Sequence, residues 1–206
     1  MLFQIFWKRI IEAHRSECYK FFERREEIGP DFWEEVGKNH SLCECENFSV
    51  SMFSPGQIKD DEILVSVVTS KNYITPDGKI EPTLIDQRIK NGISTDRKLH
   101  TDLSSYDLRA KKLVEGNANK SVCGSFELLV SRIREIDYEG ARAFAVYDTA
   151  LLENPAHAEI ACTEIPPPET PERKKLRAKL RKRVLDSVLN DGRILQSSEI
   201  FSTPVS

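Results

Sequence analysis

No reaction signature is written in this chain. It has no Gly-Lys-Ser or Gly-Lys-Thr phosphate loop, no GxGxxG, no GxSxG elbow, no HExxH and no EF-hand loop. Ordinary nucleotide hydrolases, dinucleotide oxidoreductases and serine hydrolases built on those motifs are therefore disfavoured. Nine glycines and ten prolines without a period exclude collagen-like and low-complexity classes. No apolar run approaches the roughly 18 residues needed to span a bilayer. The opening MLFQIF lacks a basic lead-in and meets Lys8 and Arg9 before an apolar stretch of useful length, so no secretory leader and a cytoplasmic location are expected. Five unevenly spaced cysteines, Cys18, Cys43, Cys45, Cys123 and Cys162, argue against a disulfide framework. There is no internal repeat.

What is present suits a folded domain: 206 residues, of which 39 % are hydrophobic and 31 % charged. The net charge of −3 conceals an asymmetry. Residues 169–193 carry nine Lys and Arg against four Asp and Glu, while residues 1–168 carry 21 basic and 28 acidic side chains. The chain reads as an acidic body with a basic end.

Along the body, apolar residues recur at helical spacing over 2–27, and Gly29-Pro30 stops the run. Asp31 then caps a second short helix, Phe32 to Val36, giving a helical hairpin over 1–38. Phe3, Trp7 and Phe21 exceed what such a hairpin needs and suggest a subunit interface. Alternation over Phe48 to Met52 and the β-branched run Ile63 to Val68 predict strands. Short helices are expected at Leu84 to Lys90 and Tyr106 to Val114, the latter capped by Ser105. Strands are expected at Phe126 to Ile136 and Arg142 to Tyr147 around the turn Asp137 to Gly140. In a last strand, His157 to Cys162, Ala158, Ile160 and Cys162 share one face and His157, Glu159 and Ala161 the other.

These elements define an α+β domain over 1–165. The helical hairpin packs on a mainly antiparallel sheet of five or six strands within 47–162, with short helices inserted. Pro166 to Pro168 make a spacer at 166–169. A basic amphipathic helix follows over 170–191, and a mobile tail over 192–206.

Three groups of residues are candidates for chemistry. The first is the basic run Arg173, Lys174, Lys175, Arg177, Lys179, Arg181, Lys182 and Arg183, whose helix has an apolar stripe at Leu176, Leu180 and Val188. Such a surface suits an acidic protein or the phosphates of nucleic acid, and the leading expectation is an accessory or binding protein within a larger assembly. The second is the polar stretch 91–102, read as a loop. Arg97 would hold an anion, Ser94 orient or attack, and His100 with His157 move protons, making a small enzyme on a phosphate-bearing substrate without metal or cofactor. The third is His40, Cys43 and Cys45 with His14 and Cys18 one helical turn apart, a weak zinc pattern because Cys-x-Cys is too close-spaced. No metal site is assigned from it.

Overall fold

The computed structural model describes residues 17–33, 35–36, 44–162 and 171–202, with the side chains of Pro30, Glu44, Lys90 and Arg173 outside the description. Helix α1 (17–23) and the short α2 (Arg25–Ile28) open the described chain. The sheet follows with β1 (Ile63–Val68), β2 (Ile93–Arg97) and β3 (Gly124–Leu129), then the two-strand ribbon β4 (Asp137–Tyr138) and β5 (Ala141–Arg142), then β6 (Phe144–Tyr147) and β7 (His157–Cys162). Between and after them lie α3 (Pro82–Asn91), α4 (Leu103–Lys112), α5 (Val130–Arg134), α6 (Pro171–Ser187) and α7 (Ser197–Ser202). Five strands form one sheet in the order β3-β1-β2-β7-β6, every neighbouring pair antiparallel. The class is α+β, as the hydrophobic pattern predicts. Among the described residues no helix is long and apolar enough to cross a membrane.

Strand alternation sends two sets of side chains to opposite faces. One face carries Leu64, Val68, Phe126, Ile93, Ile160 and Val146 into the main core, closed by Leu84 and Ile85 of α3, Val130 and Ile133 of α5, Leu180 and Val184 of α6, and Val188 just beyond it. Each such buried aliphatic side chain contributes on the order of 2 kcal/mol. The basic helix is thus folded back on the body, and Val184 is 0 % exposed.

The other face is covered in two separate patches. Over β6 and β7 sits an aromatic cluster of Phe22, Phe32 and Trp33 on Ala145, Tyr147 and Ala161. Phe21, expected at a subunit interface, packs against this cluster with its ring 5.4 Å from that of Phe32. Phe3 and Trp7 lie outside the described residues. Over β1, Tyr106 of α4 and Ile200 of α7 cover Val65. The middle of this face, over β2, is left to polar side chains.

Several local expectations are corrected. The stretch 91–102 is no loop: Ile93–Arg97 is a central strand, bonded to β1 and β7 and followed by a 3-10 turn at Lys98–His100. Its polar side chains are paired inside, so its sequence lacks the apolar alternation that announces a strand. Residues 48–52 contribute a single bridge, Ser49 to Asp148, rather than a strand. The run beginning at Phe126 leaves the sheet after Leu129 and turns into α5. The cap of α4 is Asp102, whose carboxylate accepts from the Ser105 amide at 2.9 Å, rather than Ser105. In place of a mobile tail, residues 192–202 return along the body: Leu195 bridges Ser125, and Ile200 of α7 is 1 % exposed. Finally, Cys18 and Cys45 form a disulfide, against the reading of an unpaired set, while Cys123 and Cys162 are free thiols. Fold proximity brings together two cysteines 27 positions apart, which spacing alone does not reveal.

Candidate functional site: a pocket at a split in the sheet

Strands β1 and β3 pair along six positions, and β2 and β7 along four. By contrast β1 and β2 pair only at Leu64 with Arg97 and at Val65 with Asp96. Past that point the ladder opens. Ser66 Oγ fills the gap by donating to the Ser94 carbonyl at 2.7 Å. Arg88, reaching from α3, donates to Ser66 Oγ and to the Val67 carbonyl and lies 5.4 Å over the Phe126 ring. All of these partners are neutral, and among the described residues this guanidinium has no carboxylate partner. Burial pushes its pKa down to about 10.

The split opens onto a pocket of about 470 Å³ on the half-covered face. Ser94 and His157 stand on the neighbouring strands β2 and β7, and both line it. Ser94 Oγ is 3.0 Å from His157 Nε2. His157 Nδ1 lies 3.1 Å from the Thr149 carbonyl and 2.9 Å from its hydroxyl oxygen. With the proton on Nδ1, donated to the Thr149 carbonyl, Nε2 presents its lone pair to the Ser94 hydroxyl. That tautomer is the one a general base requires.

The pocket lining combines cationic and apolar side chains. Asp96 is fully engaged, accepting two hydrogen bonds from Arg109 (3.0 and 2.7 Å) and one from Asn154 (2.7 Å). This leaves Arg88, Lys112 and Lys120 against Glu153 as the remaining charges of the lining, a net positive balance. Val65, Tyr106, Leu113 and Leu151 supply apolar surface, with Leu113 and Leu151 exposed. Gly92, at φ 79°, lets Trp33 approach the wall: a Cβ there would sit 2.6 Å from Trp33 Nε1.

Of the residues expected to act together, Ser94 and His157 meet, whereas Arg97 and His100 stand elsewhere. Arg97 is 2 % exposed and spans a buried network. It donates to both oxygens of Glu62 (2.8 and 2.7 Å) and to the Gly56 carbonyl (2.6 Å), and lies 3.6 Å from Asp148. Its charge is consumed inside the fold. His100 has Glu62 as its neighbour, at 4.0 Å, and burial together with the Arg97 charge lowers its pKa.

Arg88, Lys112, Lys120 and Thr149 were not anticipated. Arg88 carried a legible signal: in Leu84, Ile85, Arg88, Ile89 it occupies a position of the apolar stripe, where a cation needs a reason. Thr149 carried none, because its part depends on where the chain returns in space.

The basic helix and the cysteines complete the account. On α6, Arg181 is paired with Asp86 at 2.6 Å, and Lys179 lies 5.4 Å over the Tyr138 ring. Arg177 is partly buried, and Lys174, Lys175, Lys182 and Arg183 are exposed. As to zinc, Cys18 and Cys45 are bonded to each other, and His14, His40 and Cys43 lie outside the described residues. Among the described residues no group of three or more His, Cys, Asp or Glu is placed to hold a metal ion. Comparison with protein-family models, with curated proteins and with solved structures gives no match, so the reading rests on the geometry of the chain itself.

Proposed function

We propose that the chain is an enzyme that cleaves phosphate esters of small molecules through Ser94 and His157. The observation that carries this reading is the 3.0 Å contact between Ser94 Oγ and His157 Nε2, beside a pocket lining with surplus positive charge. The role of holding the anion passes from Arg97 to Arg88, Lys112 and Lys120. The apolar part of the lining suits a substrate with a flat or apolar portion, as in a nucleotide.

In the first step Ser94 Oγ attacks phosphorus while its proton passes to His157 Nε2. The imidazolium is held through Nδ1–H by Thr149, and the departing oxygen takes the Nε2 proton as its bond to phosphorus breaks. Water then attacks the phosphoseryl phosphorus, giving a proton to Nε2, and Ser94 Oγ leaves and recovers that proton. The cations of the wall stabilise charge spread over the non-bridging oxygens.

Bis(p-nitrophenyl) phosphate tests the reading. The wild-type chain is expected to release p-nitrophenol with saturation, competed by inorganic phosphate, and Ser94→Ala is expected to lower kcat by about 100-fold or more. Equal turnover by Ser94→Ala, or none by the wild type, would contradict it.

A further inference from the structure

We infer that the outward face of α6 is a docking surface for the phosphate backbone of nucleic acid, separate from the pocket. The helix is fixed to the body by Leu180, Val184 and Val188, so its orientation is set. With 100° per residue, the exposed positions turned away from that stripe are 171, 172, 174, 175, 178, 179, 182, 183 and 186. They hold the five cations Lys174, Lys175, Lys179, Lys182 and Arg183 against two acids, Glu172 and Asp186, with Pro171 and Ala178, so the face is net positive. Of the five cations, only Lys179 has a partner among the described residues, the Tyr138 ring.

Lys175, Lys179 and Arg183 form a row at i, i+4, i+8 spacing about 12 Å long, and Lys174 and Lys182 flank it eight residues apart. A duplex presents roughly seven phosphate charges along that length. Side chains held one turn apart on an anchored helix meet such a row without ordering a flexible segment first.

The same face speaks against the other anionic partners. A protein groove is gripped by buried aromatic or aliphatic anchors, and here the only apolar side chains on the outward face are Pro171 and Ala178. An interfacial helix inserts large apolar residues into lipid, and the large apolar residues of α6 are turned toward the core. Phosphate contacts need only the cations. Since α6 covers the face of the sheet opposite Ser94 and His157, this surface stands independently of the proposed reaction.

The test is fluorescence anisotropy with a fluorescein-labelled 20-base-pair DNA duplex, titrated at several NaCl concentrations from 20 to 200 mM. The wild type is expected to bind, with log K falling linearly in log salt at a slope of about −4. The variant K174Q/K175Q/K182Q/R183Q is expected to make that slope shallower by about 3 to 4. Because those four side chains have no ion pair among the described residues, its melting temperature and ester turnover should stay at wild-type values. Ser94→Ala should bind the duplex as the wild type does, so failure of one reading leaves the other standing. Absence of binding at 20 mM NaCl, an unchanged slope in the quadruple variant, or equal competition by polyglutamate at matched charge would overturn the inference.

Discussion

His157→Ala is expected to slow phosphate-ester cleavage by roughly 10²- to 10⁴-fold, the range set by loss of a positioned general base. The imidazole is held from both sides, by Thr149 at Nδ1 and by Ser94 at Nε2. Ser94 without this partner is an ordinary alcohol, a weak nucleophile at neutral pH. The loss should fall on kcat with KM nearly unchanged, because the cations that hold the substrate stand apart from the ring. Combining Ser94→Ala with His157→Ala should cost little more than either change alone, as for residues that act as a unit. Steady-state kinetics on bis(p-nitrophenyl) phosphate checks both statements, and a purely structural histidine would leave kcat within a few-fold of wild type.

Arg97→Met is expected to lower stability by about 3–5 kcal/mol without touching the pocket chemistry. For a chain of this size that corresponds to a fall in Tm of roughly 6–20 °C. The reason lies in what remains: Glu62 and Asp148, both buried, would share a site from which the guanidinium has gone. Burial works to raise the Glu62 pKa, but the hydrogen bonds from Arg97 and the Lys59 amide, with the Arg97 charge, outweigh it, and the carboxyl titrates below its ordinary range. A depressed carboxylate contributes stability that is present above its unfolded pKa and is lost as pH falls through the folded value. Wild-type stability should therefore drop in the acid region below the usual glutamate range, and Arg97→Met should lose that component of the acid dependence. The double variant Glu62→Gln with Arg97→Met should recover part of the loss, since no buried charge is then stranded at Glu62. Thermal and urea melts between pH 3 and 8 measure each of these.

The class of the fold and its strongly patterned elements were legible in the sequence. Ile63–Val68 and His157–Cys162 follow the apolar rhythm of strands, and the facing of His157 with Glu159 and Ala161 follows from period two alone. The missed strand Ile93–Arg97 shows why the rest was not. Thr95 Oγ1 donates to the Ala158 carbonyl at 2.9 Å, Asp96 is met by Arg109 and Asn154, and Arg97 by Glu62. These residues are tolerated inside through partners 13 to 63 positions away. Composition sees only polar residues there.

The site was half legible for the same reason. Ser94 and His157 were both visible as reactive types, but their meeting depends on the β2–β7 register. Arg97 was misplaced because an arginine in a polar stretch looks solvent-facing until its buried carboxylate is known. The basic helix was correctly placed in sequence, yet its packing into the sheet's core depends on which surface its leucine stripe meets.

Reaction of the intact chain with a fluorophosphonate most directly tests whether the Ser94–His157 pair is a reacting centre. Ser94 Oγ would bond to phosphorus with loss of fluoride, its proton leaving through His157. Intact mass and peptide mapping should find one adduct, on Ser94, formed more slowly in the presence of inorganic phosphate and strongly slowed in His157→Ala. An unmodified Ser94, or an adduct that forms at the same rate when His157 is alanine, would contradict the account.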